Sequence, residues 1–162
     1  MLLATATLLA LGLPARSFAA TVTEVRATVN FEDPDKFTDF NDSSLRTASG
    51  QKHYMAKIRE LVELQANKLL PAGQKLTIIF TDIDLAGAFP ASAPHANALR
   101  EMRDGYSIPR MKFTYRVTDA TGAVLKEGTE DVSEFNYTRS HWEESDPNLA
   151  MLRVWLEGKL KS

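Results

Sequence analysis

Residues 110–135, RMKFTYRVTDATGAVLKEGTEDVSEF, constrain the fold more than any other stretch of this chain. Apolar and polar side chains alternate from Met111 to Val117, and the letters DATG that follow are residue types of a tight turn. The chain then returns as a second strand over 124–132. This pattern predicts an antiparallel β-hairpin with one face in solvent.

The other predicted elements follow from their own periodicity. TVTEVRATVNF (21–31) and KLTIIFTDIDL (75–85) are predicted strands, and the second is apolar on both faces at first, which favours a central position in the sheet. Apolar residues at three- and four-residue spacing predict a helix over 49–70. Asp146 as N-cap and Pro147 at the first helical position predict the start of a second helix.

The order of these elements predicts an α+β fold. We expect a two-layer sandwich in which two amphipathic helices cover one face of a mostly antiparallel four-stranded sheet. The first strand is expected to pair parallel to the second through the helical crossover. The chain has 162 residues, of which 44% are hydrophobic and 25% charged, as in an ordinary globular protein. We therefore predict a single α+β domain over 20–162.

The first 19 residues have the character of a signal peptide. MLLATATLLALGL is an uncharged apolar run, too short to span a membrane, and Ser17 and Ala19 supply small residues at the −3 and −1 positions of a cleavage site. The alternative is a buried N-terminal helix. We expect 1–19 to be removed after Ala19, which predicts a periplasmic or secreted protein with no transmembrane segment in the mature chain.

Charge and cysteine content exclude several functions. The formal net charge is −2, too close to neutral to predict nucleic acid as a partner. The chain has no cysteine, so thiol catalysis, zinc–thiolate sites and iron–sulfur clusters are excluded. No nucleophile elbow, phosphate loop or metal-ligand spacing of histidines occurs. We assign no catalytic residue, metal ligand or cofactor from the sequence.

Asp82 and Asp84, in TDIDLAG, are the first candidate site residues. On a regular strand they share one face with Phe80, roughly 7 Å from each other. That spacing is compatible with acid–base chemistry on a glycoside or with two ligands to a hard cation. The competing interpretation, which we favour, is structural: the carboxylates cap the next turn or pair with arginines.

Arg103, Tyr106 and Arg110, in LREMRDGYSIPR, complete the candidate site. Arg100, Arg103 and Arg110 are the expected partners of the two aspartates, and one hypothesis is that Arg103 or Arg110 neutralises them and fixes the loop. The functional alternative is an open arginine–tyrosine pocket for a small anionic ligand. Further along, Tyr137 and Trp142 are expected mostly as core and helix-docking residues; if they are exposed, they would mark a partner or sugar-binding patch.

Several stretches together carry a family resemblance. VNFEDPDKFTDF, LLPAGQKLTIIFTDIDLAGAF, REMRD and PRMKFTYRVTDATGAVLKEG resemble the uncharacterised bacterial envelope proteins grouped as domain of unknown function 3016, over about residues 22 to 157. The resemblance implies export and a single domain. It implies no catalytic residue, substrate or cofactor.

These observations lead to two functional hypotheses. The first is an exported, non-enzymatic binding or accessory module of the cell envelope, with an envelope protein or a small anionic ligand as partner. The alternative is a small envelope hydrolase that uses the Asp82 and Asp84 carboxylates.

Overall fold

The computed structural model describes residues 25–40, 48–89, 100–102, 107–135 and 146–161. Within these ranges the chain forms four strands, two α-helices and a short 3₁₀ turn. The elements are β1 (Ala27–Phe31), the 3₁₀ turn (Pro34–Lys36), α1 (Ala48–Leu69), β2 (Lys75–Asp84), β3 (Arg110–Thr118), β4 (Val124–Ser133) and α2 (Pro147–Leu160).

The four strands form one mixed sheet in the order β1-β2-β3-β4. β1 is parallel to β2, and the other two pairs are antiparallel. Both helices pack against the same face, where alternate residues of β2 and β3 are buried with the apolar residues of α1 and α2. The predicted α+β fold, with its parallel first pair, is confirmed.

A row of aromatic rings crosses the buried face of the sheet. Phe31, Phe80 and Phe113 are register partners on β1, β2 and β3, and successive ring centroids lie 5.3 and 5.2 Å apart. Trp155 of α2 meets Phe113 edge to face at 4.6 Å. Such contacts add to the stabilisation from burial alone. The row fixes the register of the central strands and so positions the residues that follow them.

The starts of the two helices meet near the end of β2. The Asp146 carboxylate accepts hydrogen bonds from the main-chain N–H groups of Asn148 and Leu149, as predicted for an N-cap. The Tyr54 hydroxyl of α1 donates to the same carboxylate at 2.9 Å. The main-chain N–H of Ala86 donates to Asn148 Oδ1 at 2.7 Å. The segment after β2 is therefore anchored to α2.

Along the described part of the chain, no helix combines the length and apolar character needed to cross a membrane. The predicted signal peptide, 1–19, lies outside the described residues, as does 21–24 of the first predicted strand. That strand was predicted over 21–31, whereas β1 begins at Ala27, so the described residues 25–26 precede it.

Candidate functional site

A β-bulge in β2 decides where Asp82 and Asp84 point. Phe80 pairs with Phe113, but Asp82 pairs with Lys112, so Thr81 is an extra residue in β2. The insertion reverses the alternation: Phe80 is buried before the bulge, and Ile83 is buried after it. The prediction that both aspartates share a face with Phe80 is therefore wrong. They lie on the opposite, open face, which we define as the face of the sheet away from α1 and α2.

Asp82 is held by the segment that follows β1. Its carboxylate accepts hydrogen bonds from the main-chain N–H of Thr38 at 2.8 Å and from the Thr38 hydroxyl at 3.1 Å. Lys112 Nζ lies 3.5 Å from Oδ2, the oxygen that also accepts from the Thr38 hydroxyl. Asp82 therefore ties the 3₁₀ region to the central strands. This is a structural contact, but its partners are Thr38 and a lysine rather than the predicted next turn or arginine.

Asp84 has a different environment. It forms a parallel bridge with Asp39, supported by main-chain hydrogen bonds from Asp39 N to Ile83 O and from Leu85 N to Asp39 O. Its carboxylate has no hydrogen-bond donor or ion-pair partner among the described residues. Partial burial, together with the negative charges of Asp39 and Asp82, raises the pKa of Asp84 above its usual value.

Arg100 is the main cation of this region. Its guanidinium pairs with Asp39 at 2.7 Å and donates to the main-chain carbonyl oxygens of Leu85, Ala86 and Gly87. Only 8% of its side chain is exposed. Arg100 was expected as a partner of Asp82 and Asp84 but pairs with Asp39, which was not predicted as a site residue. Only local composition pointed to this pair in the sequence, since Asp39 lies in an acidic segment and Arg100 lies near the start of the arginine-rich segment.

Gly87 lets the chain pass close to Arg100. Its φ of +71° lies in the left-handed region, and a Cβ at this position would overlap the carbonyl oxygen of Glu101. The neighbouring Ala88 and Glu101 exchange main-chain hydrogen bonds of 3.1 and 2.8 Å. Glycine therefore permits the close approach that brings the Arg100 segment against the end of β2.

Arg110 does not form the predicted ion pair with either aspartate. It is the register partner of Asp84, yet its guanidinium bonds to Asp131 of β4 through two contacts of 2.6 and 2.5 Å. Its charge lowers the pKa of Asp84 only at longer range. Arg103 and Tyr106 lie outside the described residues. The described residues thus supply Asp82, Asp84 and Arg110 to one face, with Lys112 as an unforeseen partner.

A concavity lies on the open face beside these charges. Its volume is about 530 Å³, and it crosses β2, β3 and β4. The hydroxyls of Thr77, Thr114 and Thr129 have no hydrogen-bond partner among the described residues. Ile79 gives the floor an apolar element, and Arg116 and Glu127 form an ion pair of 3.1 Å at one side.

Comparison with protein families gives one match, to the model described as protein of unknown function (DUF3016), over residues 25–158. The chain belongs to the DUF3016 family. Neither the curated proteins nor the solved structures contain a match to it. The resemblance seen in the sequence is thus confirmed, and the family description adds no activity, substrate or partner.

The DUF3016 match extends from the residues before β1 into α2, so the open face belongs to the family region. Among the described residues of this region, no three His, Cys, Asp or Glu side chains are grouped so as to hold a metal ion. The exposed Phe135 lies just after β4. Tyr137 and Trp142 lie outside the described residues.

Proposed function

We propose that this DUF3016 protein is an exported, non-enzymatic binding module of the bacterial cell envelope, and that the open face of its sheet binds the ligand. The concavity carries the proposal. It is built on three hydrogen-bonded strands, and its threonine hydroxyls have no hydrogen-bond partner in the part of the chain that the structure describes. A rigid strand surface with available donors and acceptors is suited to binding without rearrangement.

The charges around the concavity favour a neutral ligand. Arg116 is paired with Glu127, and Arg110 is paired with Asp131. Lys112 lies against Asp82. Because each of these cations already has a carboxylate partner, the described surface offers an anion little net attraction. A ligand rich in hydroxyl and amide groups, such as an envelope glycan strand, matches the free threonine hydroxyls and the apolar Ile79.

Export is the second part of the proposal. The apolar run at the N-terminus, the small residues Ser17 and Ala19, and the absence of cysteine support it. An envelope location would bring the open face into contact with glycan strands.

Cosedimentation with purified peptidoglycan tests the binding surface. We expect the protein to pellet with the glycan and the T114V/T129V variant to remain largely in the supernatant, because valine keeps the side-chain shape but removes the hydroxyl. The matched control is T28V, which makes the same change on the open face of β1, outside the concavity. Binding by T114V/T129V equal to that of T28V would exclude this surface.

A hydrolase remains the second candidate because the two carboxylates differ. Asp82 is hydrogen-bonded and paired with Lys112, whereas Asp84 has no partner among the described residues and its pKa is raised. A partly buried carboxyl whose pKa is raised, next to a second carboxylate held by hydrogen bonds, is one element of the paired-carboxylate arrangement of glycoside hydrolases. Release of soluble sugar from peptidoglycan, abolished by both D82N and D84N, would support it. If no soluble sugar is released, the hydrolase candidate is excluded and the binding function is the one that stands.

A further inference from the structure

β4 forms one edge of the described sheet. β4 pairs with β3 on one side, and no described strand pairs with the other. Glu127, Thr129, Asp131 and Ser133 are all exposed. The strand has 10 residues and no proline. An edge of this length presents unpaired N–H and C=O groups to which another strand can add.

The direction of the main-chain groups follows from the hairpin. Glu134 N donates to Pro109 O at 3.3 Å, so the even-numbered residues of β4 bond to β3. The main-chain groups of the odd-numbered residues, including Glu127 and Thr129, therefore point outwards. An added antiparallel strand must bond to these residues.

One self-pairing of β4 matches its charges. In a two-fold antiparallel pair centred on Gly128, Lys126 faces Glu130 of the partner subunit, and Glu127 faces Thr129 of the partner subunit. Opposite charges across a strand pair attract, and like charges repel. No like charges are directly opposed between residues 126 and 130 in this register.

The neighbouring registers all oppose like charges. A pair centred on Thr129 sets Glu127 against Asp131 of the partner subunit. Centres at 126, 127, 130 or 131 set a charged residue against its own copy. The sequence of β4 thus selects the Gly128 centre.

The acidic side chains of β4 protect the edge only weakly, because each already has a partner in its own subunit. Glu127 pairs with Arg116, and Asp131 pairs with Arg110. Glu130 pairs with Lys159 of α2 at 2.7 Å. Charged side chains at an edge oppose strand addition. The internal partners weaken this opposition, and the remaining charge interactions still favour one register over the others.

We propose that this protein forms a symmetric dimer by antiparallel pairing of β4 with β4 of a second copy, centred on Gly128. The pair joins two sheets into one, and the two concavities, each bordered by Glu127 and Thr129, become neighbours on a continuous open face. A register shift beside Val117 limits regular pairing near residue 125. The interface is therefore small, and the dimer depends on concentration.

Disulfide trapping tests the register, because the chain has no cysteine of its own. Each single variant, E127C or T129C, then carries one thiol. In the proposed pair, Cα atoms of residues 127 and 129 of the partner subunit lie about 5.5 Å apart, within disulfide range. Identical residues lie about 8 Å apart, beyond that range.

The experiment uses protein purified after expression of the full chain. We expect an equal mixture of E127C and T129C to form a disulfide-linked dimer on oxidation, and each variant alone to form little. Sedimentation velocity should show a mass that doubles as concentration rises. T129P, which lacks an outward N–H, should stay monomeric, whereas its control T129A should dimerise.

Three results would overturn the proposal. They are a monomer at every concentration, cross-linking of T129C or E127C alone as efficient as in the mixture, and a dimer that T129P leaves intact. The last result would place the interface elsewhere, and cross-linking of a single variant would indicate another register.

Discussion

Asp39 and Asp84 lie side by side across a parallel bridge, but only Asp39 is neutralised by a direct ion pair. The Arg100 guanidinium forms an ion pair of 2.7 Å with the Asp39 carboxylate. The Asp84 carboxylate has no direct partner among the described residues. The chain therefore places a stabilised carboxylate beside a destabilised one, at the end of β2 where the open face begins. This asymmetry sets the expected response of the site to mutation and to pH.

Asp84→Asn is expected to stabilise the protein at neutral pH. The folded-state pKa of Asp84 is raised, so the native protein holds its proton more tightly than the unfolded chain does. The free energy of unfolding therefore falls as the pH rises through the folded-state pKa. Below about pH 4, near the pKa of aspartate in the unfolded chain, Asp84 costs the protein no stability. Because solvent screens the charge of a half-buried group, we expect Asp84→Asn to raise the free energy of unfolding by only about 0.5 kcal/mol at pH 7.

Urea unfolding of the native and Asp84→Asn proteins at pH 7 and pH 3 measures this difference. The gain should be present at pH 7 and absent at pH 3. A variant that is less stable at pH 7 would show that Asp84 is held by an attraction.

Asp82→Ala should have the opposite effect. It removes the acceptor of two Thr38 hydrogen bonds and the partner of Lys112. We expect a loss of about 1 kcal/mol in the free energy of unfolding at pH 7. Thr38→Val, which deletes only the hydroxyl bond, should lose less. Equal stability of Asp82→Ala and the native protein would contradict the anchoring role.

Arg100→Ala should be the most destabilising change of an arginine in the described region. The guanidinium is almost fully buried, and its loss leaves Asp39 without its cation and three carbonyl oxygens without a donor. We expect Arg100→Ala to lower the free energy of unfolding by about 3 kcal/mol, which corresponds to a fall of about 10 °C in Tm. The control is Arg110→Ala, whose ion pair with Asp131 is exposed and should contribute little. Similar Tm values for both variants would refute the difference.

Gly87→Ala should destabilise more than Gly122→Ala. Both glycines have positive φ, +71° and +89°, so alanine is strained at either position. At Gly122 nothing lies within 4 Å of a new Cβ, and we expect a loss of about 1 kcal/mol. At Gly87 the Cβ meets the Glu101 carbonyl, and we expect about 3 kcal/mol or more. Thermal unfolding of the two variants provides the comparison.

Processing of the N-terminus tests export. When the full chain is expressed in bacteria, we expect the accumulated protein to begin at Ala20. Intact-mass measurement of the periplasmic fraction gives the start directly. An unprocessed chain in the cytoplasm would refute the predicted signal peptide.

Local patterns predicted the elements closely. The helix predicted over 49–70 is Ala48–Leu69, and the hairpin strands fall within a residue of their predicted ends. Periodic burial and capping residues act over a few positions, so they are visible in sequence.

The candidate site was predicted less well, because its geometry depends on a bulge and on distant contacts. IIFTDID contains no glycine or proline to signal the bulge after Phe80, so Asp82 and Asp84 were placed on the wrong face. Asp39 and Arg100 are 61 residues apart, and no local pattern pairs them.

The sequence by itself determined the elements, their order and the family, since these follow from short-range periodicity and from stretches that can be compared directly. Only the tertiary structure decided which carboxylate is neutralised, because an ion pair forms between the charges that the folded chain brings together. The same holds for the open face. Its threonines are ordinary strand residues in the sequence, and they become a surface only when β2, β3 and β4 lie side by side.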